Sequence, residues 1–219
     1  MTTASVKLIA VMTLPRWECT AARTQIEAAL RQIGIPLMTA QGVFYGQCMT
    51  RLTESAMDQG AEWILTIDGD SWFTAKQLLH LMTVFHQSEH IHALAALQAR
   101  RGKPSPLLTV GADQDGYVTI DKEPLEVATA HFGLTLLRTS ALRQVSRPWF
   151  WSQPDFDGRW GDDRVDEDIY FWREWKAANN SLYVLPTCRI GHLEEMVSVI
   201  GPDGKTTHIY PSDFNDKDS

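Results

Sequence analysis

Short apolar runs alternate with stretches of helical periodicity along the first half of this chain. The predicted strands are Val6–Met12, Ile35–Met38, Glu62–Ile67 and Ile91–Leu97. Between them, apolar residues recur at helical spacing, with helices expected to begin near Thr20, Gln47 and Thr74. Because parallel neighbouring strands need a crossover connection, which is usually a helix, this order predicts a mostly parallel sheet covered by helices.

The second half has shorter apolar runs and more frequent turn residues. Leu107–Val110 and Tyr117–Ile120 flank a turn at 113–116, which predicts a hairpin. The further predicted elements are a strand at His131–Leu137, a helix that buries Val165, Ile169 and Trp172, and a strand at Leu182–Leu185. We therefore expect an α/β fold with a mixed, mostly parallel sheet flanked by helices and a small antiparallel portion. Residues 1–210 are expected to form one domain, and 211–219 a flexible acidic tail.

Composition narrows the class of protein. The chain has 219 residues, 44% of them hydrophobic, and a net charge of −7, which excludes a disordered or collagen-like chain and gives no general attraction to nucleic acid. Its three cysteines, Cys19, Cys48 and Cys188, are too few and too scattered for a disulfide framework or a zinc ribbon. The apolar run at 6–14 is too short to span a bilayer and lacks a cleavage site. We expect a cytoplasmic protein without a membrane span.

The most informative short motif is Asp68-Gly69-Asp70, which follows an apolar strand directly. Open α/β sheets bind their ligands at the carboxyl ends of the strands, and carboxylate oxygens suit Mg²⁺ or Mn²⁺ bridged to a diphosphate. The alternative is a solvated turn in which Asp68 or Asp70 caps the next helix.

Two further motifs carry ionisable side chains. Asp166, Glu167 and Asp168 precede a predicted helix, where one of them can act as a base, although acids at a helix start are also favoured by the helix dipole alone. His192 follows Gly191 after a predicted strand, and a neutral imidazole is a good ligand for Mn²⁺. A structural histidine held by a hydrogen bond is the alternative.

In this order, the motifs resemble those of GT-A-fold, nucleotide-sugar-dependent glycosyltransferases. The resemblance extends to about residue 195 and rests on several segments. These are Ile9–Arg16, Met49–Ala56, Asp68–Asp70, Phe132–Arg138, Glu167–Phe171 and Ile190–His192. It implies a Rossmann-like GT-A sheet, a nucleoside-diphosphate sugar as donor, with UDP as the expected nucleotide, and a Mn²⁺ or Mg²⁺ ion.

The resemblance also implies roles for individual residues. Contacts to the donor are expected from Thr13, Pro15, Arg16, Arg51, Asp68 and Gly133. Asp70 and His192 are the expected metal ligands, with Asp68 reaching the ribose or the ion through water. Asp168 or Glu167 would take the proton from an acceptor hydroxyl if the anomeric centre is inverted, and Asp166 leaves the choice of base open.

The acceptor side is expected to involve Arg100, Arg101, Trp149, Trp151 and Asp166. The tryptophans can stack on a sugar or base, and the arginines can meet a phosphate, although core packing and a solvated turn are the respective alternatives. The chain has the compact size of small phage glycosyltransferases, so a hydroxymethylated base in DNA is one acceptor, and a glycan, lipid or protein is another. A nucleotidyltransferase is less favoured because 14–17 contains no glycine, and a non-catalytic relative has no need of all these acids.

Overall fold

The structure is a computed structural model, and it describes residues 7–14, 19–100, 106–111, 114–115, 123–200 and 203–211. The helices are α1 (Thr20–Ile33), α2 (Tyr45–Asp58), α3 (Ala75–Gln87), α4 (Thr139–Leu142) and α5 (Glu167–Ala177). The strands of the main sheet are β1 (Leu8–Leu14), β2 (Leu37–Gln41), β3 (Trp63–Ile67), β4 (Ser71–Trp72), β5 (Ala93–Gln98), β8 (Leu125–Glu126), β10 (Leu134–Arg138) and β11 (Leu182–His192). The remaining strands are β6 (Leu108–Gly111), β7 (Gln114–Asp115), β9 (Thr129–Ala130), β12 (Val197–Ile200) and β13 (Thr206–Ile209).

The main sheet has the strand order β2-β1-β3-β10-β5-β11-β4, with β8 also paired to β11. β1 is parallel to β2 and β3, and β5 is parallel to β11, whereas β10 runs antiparallel between β3 and β5. Two small antiparallel sheets, β7-β6-β9 and β12-β13, complete the described structure. The predicted mixed, mostly parallel α/β fold is therefore confirmed.

The helices cover both faces of the sheet because successive side chains of each strand point to opposite sides. In β1, Ile9 and Val11 pack into the core formed with α2, α4 and α5. Leu8, Ala10 and Met12 pack into the second core, formed with α1 and α3. Because β1 and β3 are parallel, the loops that follow them lie at the same edge of the sheet.

Local signals explain several helix boundaries. Thr74 and Gln77 form a reciprocal capping box at the start of α3, where the Thr74 hydroxyl accepts from the Gln77 N–H and the Gln77 side chain accepts from the Thr74 N–H at 2.8 Å. α1 ends at Gly34, whose φ of +73° is a left-handed conformation that favours glycine. The start of α3 at this capping box agrees with the helix predicted to begin near Thr74.

Three predicted elements differ from the structure. The strand predicted at 131–137 begins only at Leu134, because the His131 ring accepts from the Gly133 N–H and holds a turn there. The strand predicted at 182–185 continues past an irregularity in register and ends at His192, so this histidine lies within a strand. α5 buries Phe171, Trp172 and Trp175, because the helix begins after Val165 and turns Ile169 to a half-buried position.

Some predictions fall outside the described residues. They are the strand at 117–120, residues 113 and 116 of the predicted turn, and the tail from 212 onwards. The predicted turn is wrong at its two described residues, because Gln114 and Asp115 form β7 and pair antiparallel with β6.

Candidate active site at the carboxyl edge of the sheet

The Asp68-Gly69-Asp70 turn is fixed at both ends. Before it, β3 is buried along its full length, and after it the Ser71 N–H donates to the Asp68 carbonyl at 3.1 Å. β4 then pairs antiparallel with the end of β11, with Ser71 opposite His192. Because Asp70 directly precedes Ser71, this pairing brings the side chains of Asp70 and His192 together, with Oδ2 3.3 Å from Nε2.

The orientation of the His192 ring is set by a backbone carbonyl. Nδ1 lies 3.0 Å from the Ala99 carbonyl oxygen, and because a carbonyl can only accept, Nδ1 carries the proton in this contact. With Nδ1 held by Ala99, Nε2 is the ring nitrogen that faces Asp70. The Leu193 N–H also donates to the Asp70 carbonyl at 2.9 Å, which ties the two segments together through the backbone.

A buried polar network lies behind this pair. The Gln98 amide, only 2% exposed, donates to Ser71 Oγ and to the Gly191 carbonyl, both at 3.3 Å. Gly133 is packed so closely against the network that a Cβ there would lie 2.6 Å from Ser71 Oγ and 2.7 Å from Gln98 Oε1. Only glycine fits here, so packing alone accounts for a glycine at position 133, whether or not Gly133 contacts the donor.

His131 forms hydrogen bonds to two backbone groups in the same region. Its Nε2 donates to the Ala96 carbonyl at 2.8 Å, and its Nδ1 accepts from the Gly133 N–H at 2.9 Å. Burial lowers the pKa of His131 to about 4, because the charged form would lose its hydration, and the bond to Ala96 opposes that shift only in part. His131 is therefore a neutral structural residue. The sequence analysis treated it only as part of a strand.

Beside the turn lies a cavity of about 220 Å³. It is lined by Tyr45, Asp68, Leu107, His131, Phe132, Glu167 and Asp168. Two of the predicted acids, Glu167 and Asp168, come from the first turn of α5, and Asp68 comes from the end of β3. The fold thus brings the separate acidic motifs of the sequence to a single cavity.

The carboxyl group of Asp168 is perturbed by its surroundings. Burial raises its pKa, and the neighbouring charges of Asp166 and Glu167 act in the same direction, while the Ile169 N–H, which donates to Oδ1 at 2.8 Å, opposes the shift. A carboxyl that holds its proton more firmly than an exposed one is suited to exchange it with a bound hydroxyl.

Tyr45 is a member of this cavity that sequence reasoning missed. Burial raises the pKa of its phenol well above the ordinary value, and the charges of Asp68, Asp168 and Glu167 raise it further. The phenol therefore stays protonated and can donate a hydrogen bond in the midst of three carboxylates. The sequence signal was weak, since Tyr45 is the first residue of α2 and precedes its amphipathic stretch.

Asp166 is placed differently from the other two acids. It is the N-cap residue of α5, and its carboxylate forms a forked ion pair with Arg164, with distances of 2.8 and 3.3 Å. Both side chains are exposed, and Asp166 does not line the cavity. Of the three acids, Glu167 and Asp168 line the cavity and Asp166 does not.

The other predicted donor contacts are spread more widely. Thr13 is half-buried near the carboxyl end of β1, one residue beyond Met12, which is in register with Ile67. Arg51 is exposed on α2 and does not line the described cavity. Pro15 and Arg16 lie outside the described residues.

The predicted acceptor residues also separate. Trp149 is 3% exposed and belongs to the hydrophobic core, with its indole N–H donating to the Val145 carbonyl, so its placement is that of a core residue and corrects the expected aromatic wall. Trp151 is 54% exposed. Arg100 is half-buried, one residue beyond the carbonyl that orients His192, and Arg101 lies outside the described residues.

Comparison with solved structures identifies a similar architecture. A197 from STIV matches over 91% of this chain and 93% of its own, at a TM-score of 0.59 and 13% sequence identity. The two proteins share a fold. Weaker likenesses are to S. aureus TarS (residues 1–349; TM-score 0.47, 14% identity, 85% of this chain and 60% of that one) and to a candidate nucleotide-diphospho-sugar transferase from Desulfovibrio desulfuricans G20 (TM-score 0.42, 10% identity, 85% and 81%). The sequence matches no protein-family profile and no curated protein.

Two kinds of feature, a complete metal-ligand group and a membrane-spanning helix, are absent from the described residues. Nowhere among them do three or more His, Cys, Asp or Glu side chains form a group able to hold a metal ion. A metal at Asp70 and His192 would therefore need further oxygen ligands from elsewhere. In the same part of the chain, no helix has the length and apolar character to cross a membrane.

Proposed function

We propose that this chain is a metal-dependent glycosyltransferase that moves a sugar from a nucleoside-diphosphate sugar to an acceptor hydroxyl. The observation that carries the proposal is the facing pair of Asp70 Oδ2 and His192 Nε2, 3.3 Å apart, at the ligand-binding edge of the sheet. The fold and the acid-lined cavity beside this pair support the same function.

The donor set fits a Mn²⁺ or Mg²⁺ ion bound together with a diphosphate. A carboxylate oxygen and the imidazole nitrogen Nε2 that faces it are two compatible ligands once Nε2 carries no proton, and diphosphate oxygens and water would fill the remaining positions. When bound, such an ion neutralises the negative charge that develops on the departing nucleoside diphosphate.

Asp68 is proposed to bind the donor next to the metal ligands. It lines the cavity, whereas Asp70, two residues on, faces His192, so the two carboxylates of the motif point to different partners. Thr13, at the end of the neighbouring strand, and Gly133 are close to this edge in the fold. We assign the ribose of a UDP-sugar to Asp68 and the diphosphate to the Asp70 side.

Asp168 is proposed to accept the proton of the attacking hydroxyl, if the reaction inverts the anomeric centre. It faces the cavity and has a raised pKa, and Tyr45 can donate a hydrogen bond to the same space. The bond from acceptor oxygen to anomeric carbon would form as the bond to the diphosphate breaks, and the acceptor proton would pass to Asp168. Glu167 is the second candidate for this role.

Calorimetric titration of UDP, GDP, CDP and TDP, each with Mn²⁺ and with EDTA, tests the donor side. We expect one diphosphate to bind only with Mn²⁺, and Asp70→Ala to abolish that binding. Asp203→Ala is the matched control, because Asp203 is exposed and pairs only locally with Lys205. Failure of all four nucleotides to bind, or unchanged binding by Asp70→Ala, would refute the proposed function.

A further inference from the structure

The segment between the core aromatics and α5 folds as a hairpin of its own, which we call the aromatic hairpin (151–165). Gln153 and Val165 exchange two backbone hydrogen bonds of 2.9 Å. Near the tip, the Asp155 N–H donates to the Arg159 carbonyl at 2.8 Å, and the Arg159 N–H donates to Asp155 Oδ1 at 2.7 Å. These contacts give the hairpin a defined shape.

Large aromatic side chains on this hairpin face solvent. Phe156 is fully exposed, and Trp160 and Trp151 are 63% and 54% exposed. They do not serve the core, which the preceding Trp149 and Phe150 already fill. Three exposed aromatic side chains within ten residues of an ordered segment are the feature of this hairpin that points to a binding surface.

The two ends of the hairpin adjoin residues of the candidate active site. At its start, the Phe150 ring packs at 5.5 Å from Phe132, which lines the cavity, and at 6.1 Å from Tyr45. At its end, Val165 is followed within three residues by the cavity-lining Asp168. The hairpin therefore begins and ends next to residues that line the cavity.

The charge of the hairpin limits what that molecule can be. The hairpin has a net charge of −2, because it contains four acidic residues and two basic ones. These are Asp155, Asp157, Asp162 and Asp163, and Arg159 and Arg164. Arg164 also forms an ion pair with Asp166. Surfaces that bind single-stranded nucleic acid combine stacking aromatics with a positively charged groove. This hairpin has the aromatics with the opposite charge.

We propose that the aromatic hairpin docks an uncharged oligosaccharide, which is the acceptor of the transferase. Aromatic faces pack against the apolar C–H faces of sugar rings, and the exposed carboxylates accept hydrogen bonds from sugar hydroxyls. This inference rests on the proposed function and selects a neutral glycan over DNA as the acceptor.

Ligand-observed NMR titration tests this inference with maltohexaose, cellohexaose, xylohexaose and chitohexaose as probes, and with a single-stranded oligodeoxythymidylate as the competing class. We expect at least one hexasaccharide to bind with an affinity that sodium chloride does not change. Trp160→Ala and Phe156→Ala should each weaken that binding about five- to tenfold. Leu79→Ala, which removes an exposed apolar side chain on α3, is the matched control and should have no effect.

Several results would overturn the inference. The inference is wrong if none of the hexasaccharides binds, or if both hairpin variants bind a hexasaccharide as well as the wild type does. It is also wrong if the oligonucleotide binds with an affinity that falls steeply with salt. Mn²⁺-dependent UDP binding, measured on the same samples, separates the two proposals. If the hexasaccharides fail while UDP binds, the acceptor inference is wrong and the proposed function stands.

Discussion

The side-chain amide of Gln98 donates to the carbonyl of Gly191 at 3.3 Å, one residue before the histidine that faces Asp70. The same amide nitrogen donates to Ser71 Oγ, one residue after Asp70. Gln98 thus bridges the two strands that hold the proposed metal ligands, and we assign it the role of a positioning residue.

Replacing Gln98 should loosen the pair while leaving both ligands in the chain. Gln98→Leu removes the donor to the buried Ser71 Oγ and to the Gly191 carbonyl, so we expect a loss of about 1–3 kcal/mol in the free energy of unfolding and weaker Mn²⁺-dependent UDP binding. Asn180→Leu is the matched control, because Asn180 is also a buried amide and donates to the Ala141 carbonyl at 3.0 Å, on the α4 side of the sheet. Urea unfolding and calorimetry should show destabilisation in both variants and weaker UDP binding only in Gln98→Leu. Equal effects on binding would remove the positioning role.

His192 should act as a metal ligand, in addition to forming its hydrogen bond to Ala99. We expect His192→Ala to weaken Mn²⁺-dependent UDP binding by more than about tenfold, because a ligand nitrogen is lost. His208→Ala provides the comparison, since His208 is exposed on β13 and its Nδ1 lies 3.0 Å from Ser198 Oγ. Calorimetry with and without Mn²⁺ distinguishes the two variants, and a metal requirement that survives in His192→Ala would contradict the assignment.

Asp168 should show opposite effects on stability and activity. Because burial raises its pKa in the folded state, the folded protein holds this proton more tightly than the unfolded chain, and that stabilising contribution is lost as the pH rises through the folded pKa. Asp168→Asn should therefore be more stable than the wild type at neutral pH, by an amount that shrinks as the pH falls.

The same substitution should lower the rate of sugar transfer by about 10²- to 10⁴-fold. Urea unfolding across pH, together with a transfer or donor-hydrolysis assay, checks both effects. Asp166→Asn is the control, since its carboxylate is exposed and paired with Arg164. An Asp168→Asn variant that keeps the wild-type rate would rule out Asp168 as the base.

His131 should make the protein sensitive to mild acid. In the unfolded chain this imidazole takes up a proton near its ordinary pKa of 6.5, whereas in the folded state burial lowers the pKa to about 4, so stability falls as the pH drops through this window. The full loss is about 3 kcal/mol for such a difference. The pKa of His92 is also lowered by burial and adds to the effect. His131→Gln should flatten the dependence of unfolding free energy on pH, and an unchanged slope would show that His131 is not its source.

The sequence predicts the layers of this fold well and the site only in part. Strand and helix periodicity report burial on one face, which is why β1, β2, β3, β5 and α1 to α3 appear close to where they were expected, whereas the two-residue β4 was not predicted. The position of β10, antiparallel between β3 and β5, depends on pairing between distant segments and leaves no local signal.

The candidate site illustrates the same limit. The acidic motifs were visible as residues, and the resemblance implied that Asp70 and His192 belong together, but their contact arises from the short pairing of β4 with β11. Tyr45 and Gln98 carry no recognisable motif, because their importance comes from burial beside charged or polar groups of other segments. Trp149 and Trp151 look alike in sequence, and only the packing distinguishes a core residue from an exposed one.

The most direct test of the central claim is a crystal structure of the protein with UDP and Mn²⁺, with anomalous diffraction used to locate the metal. We expect a manganese peak within about 2.3 Å of both Asp70 Oδ2 and His192 Nε2, with the diphosphate on the same ion and the ribose beside Asp68. A manganese peak that contacts neither residue, or a nucleotide bound away from the carboxyl edge of the sheet, would contradict it.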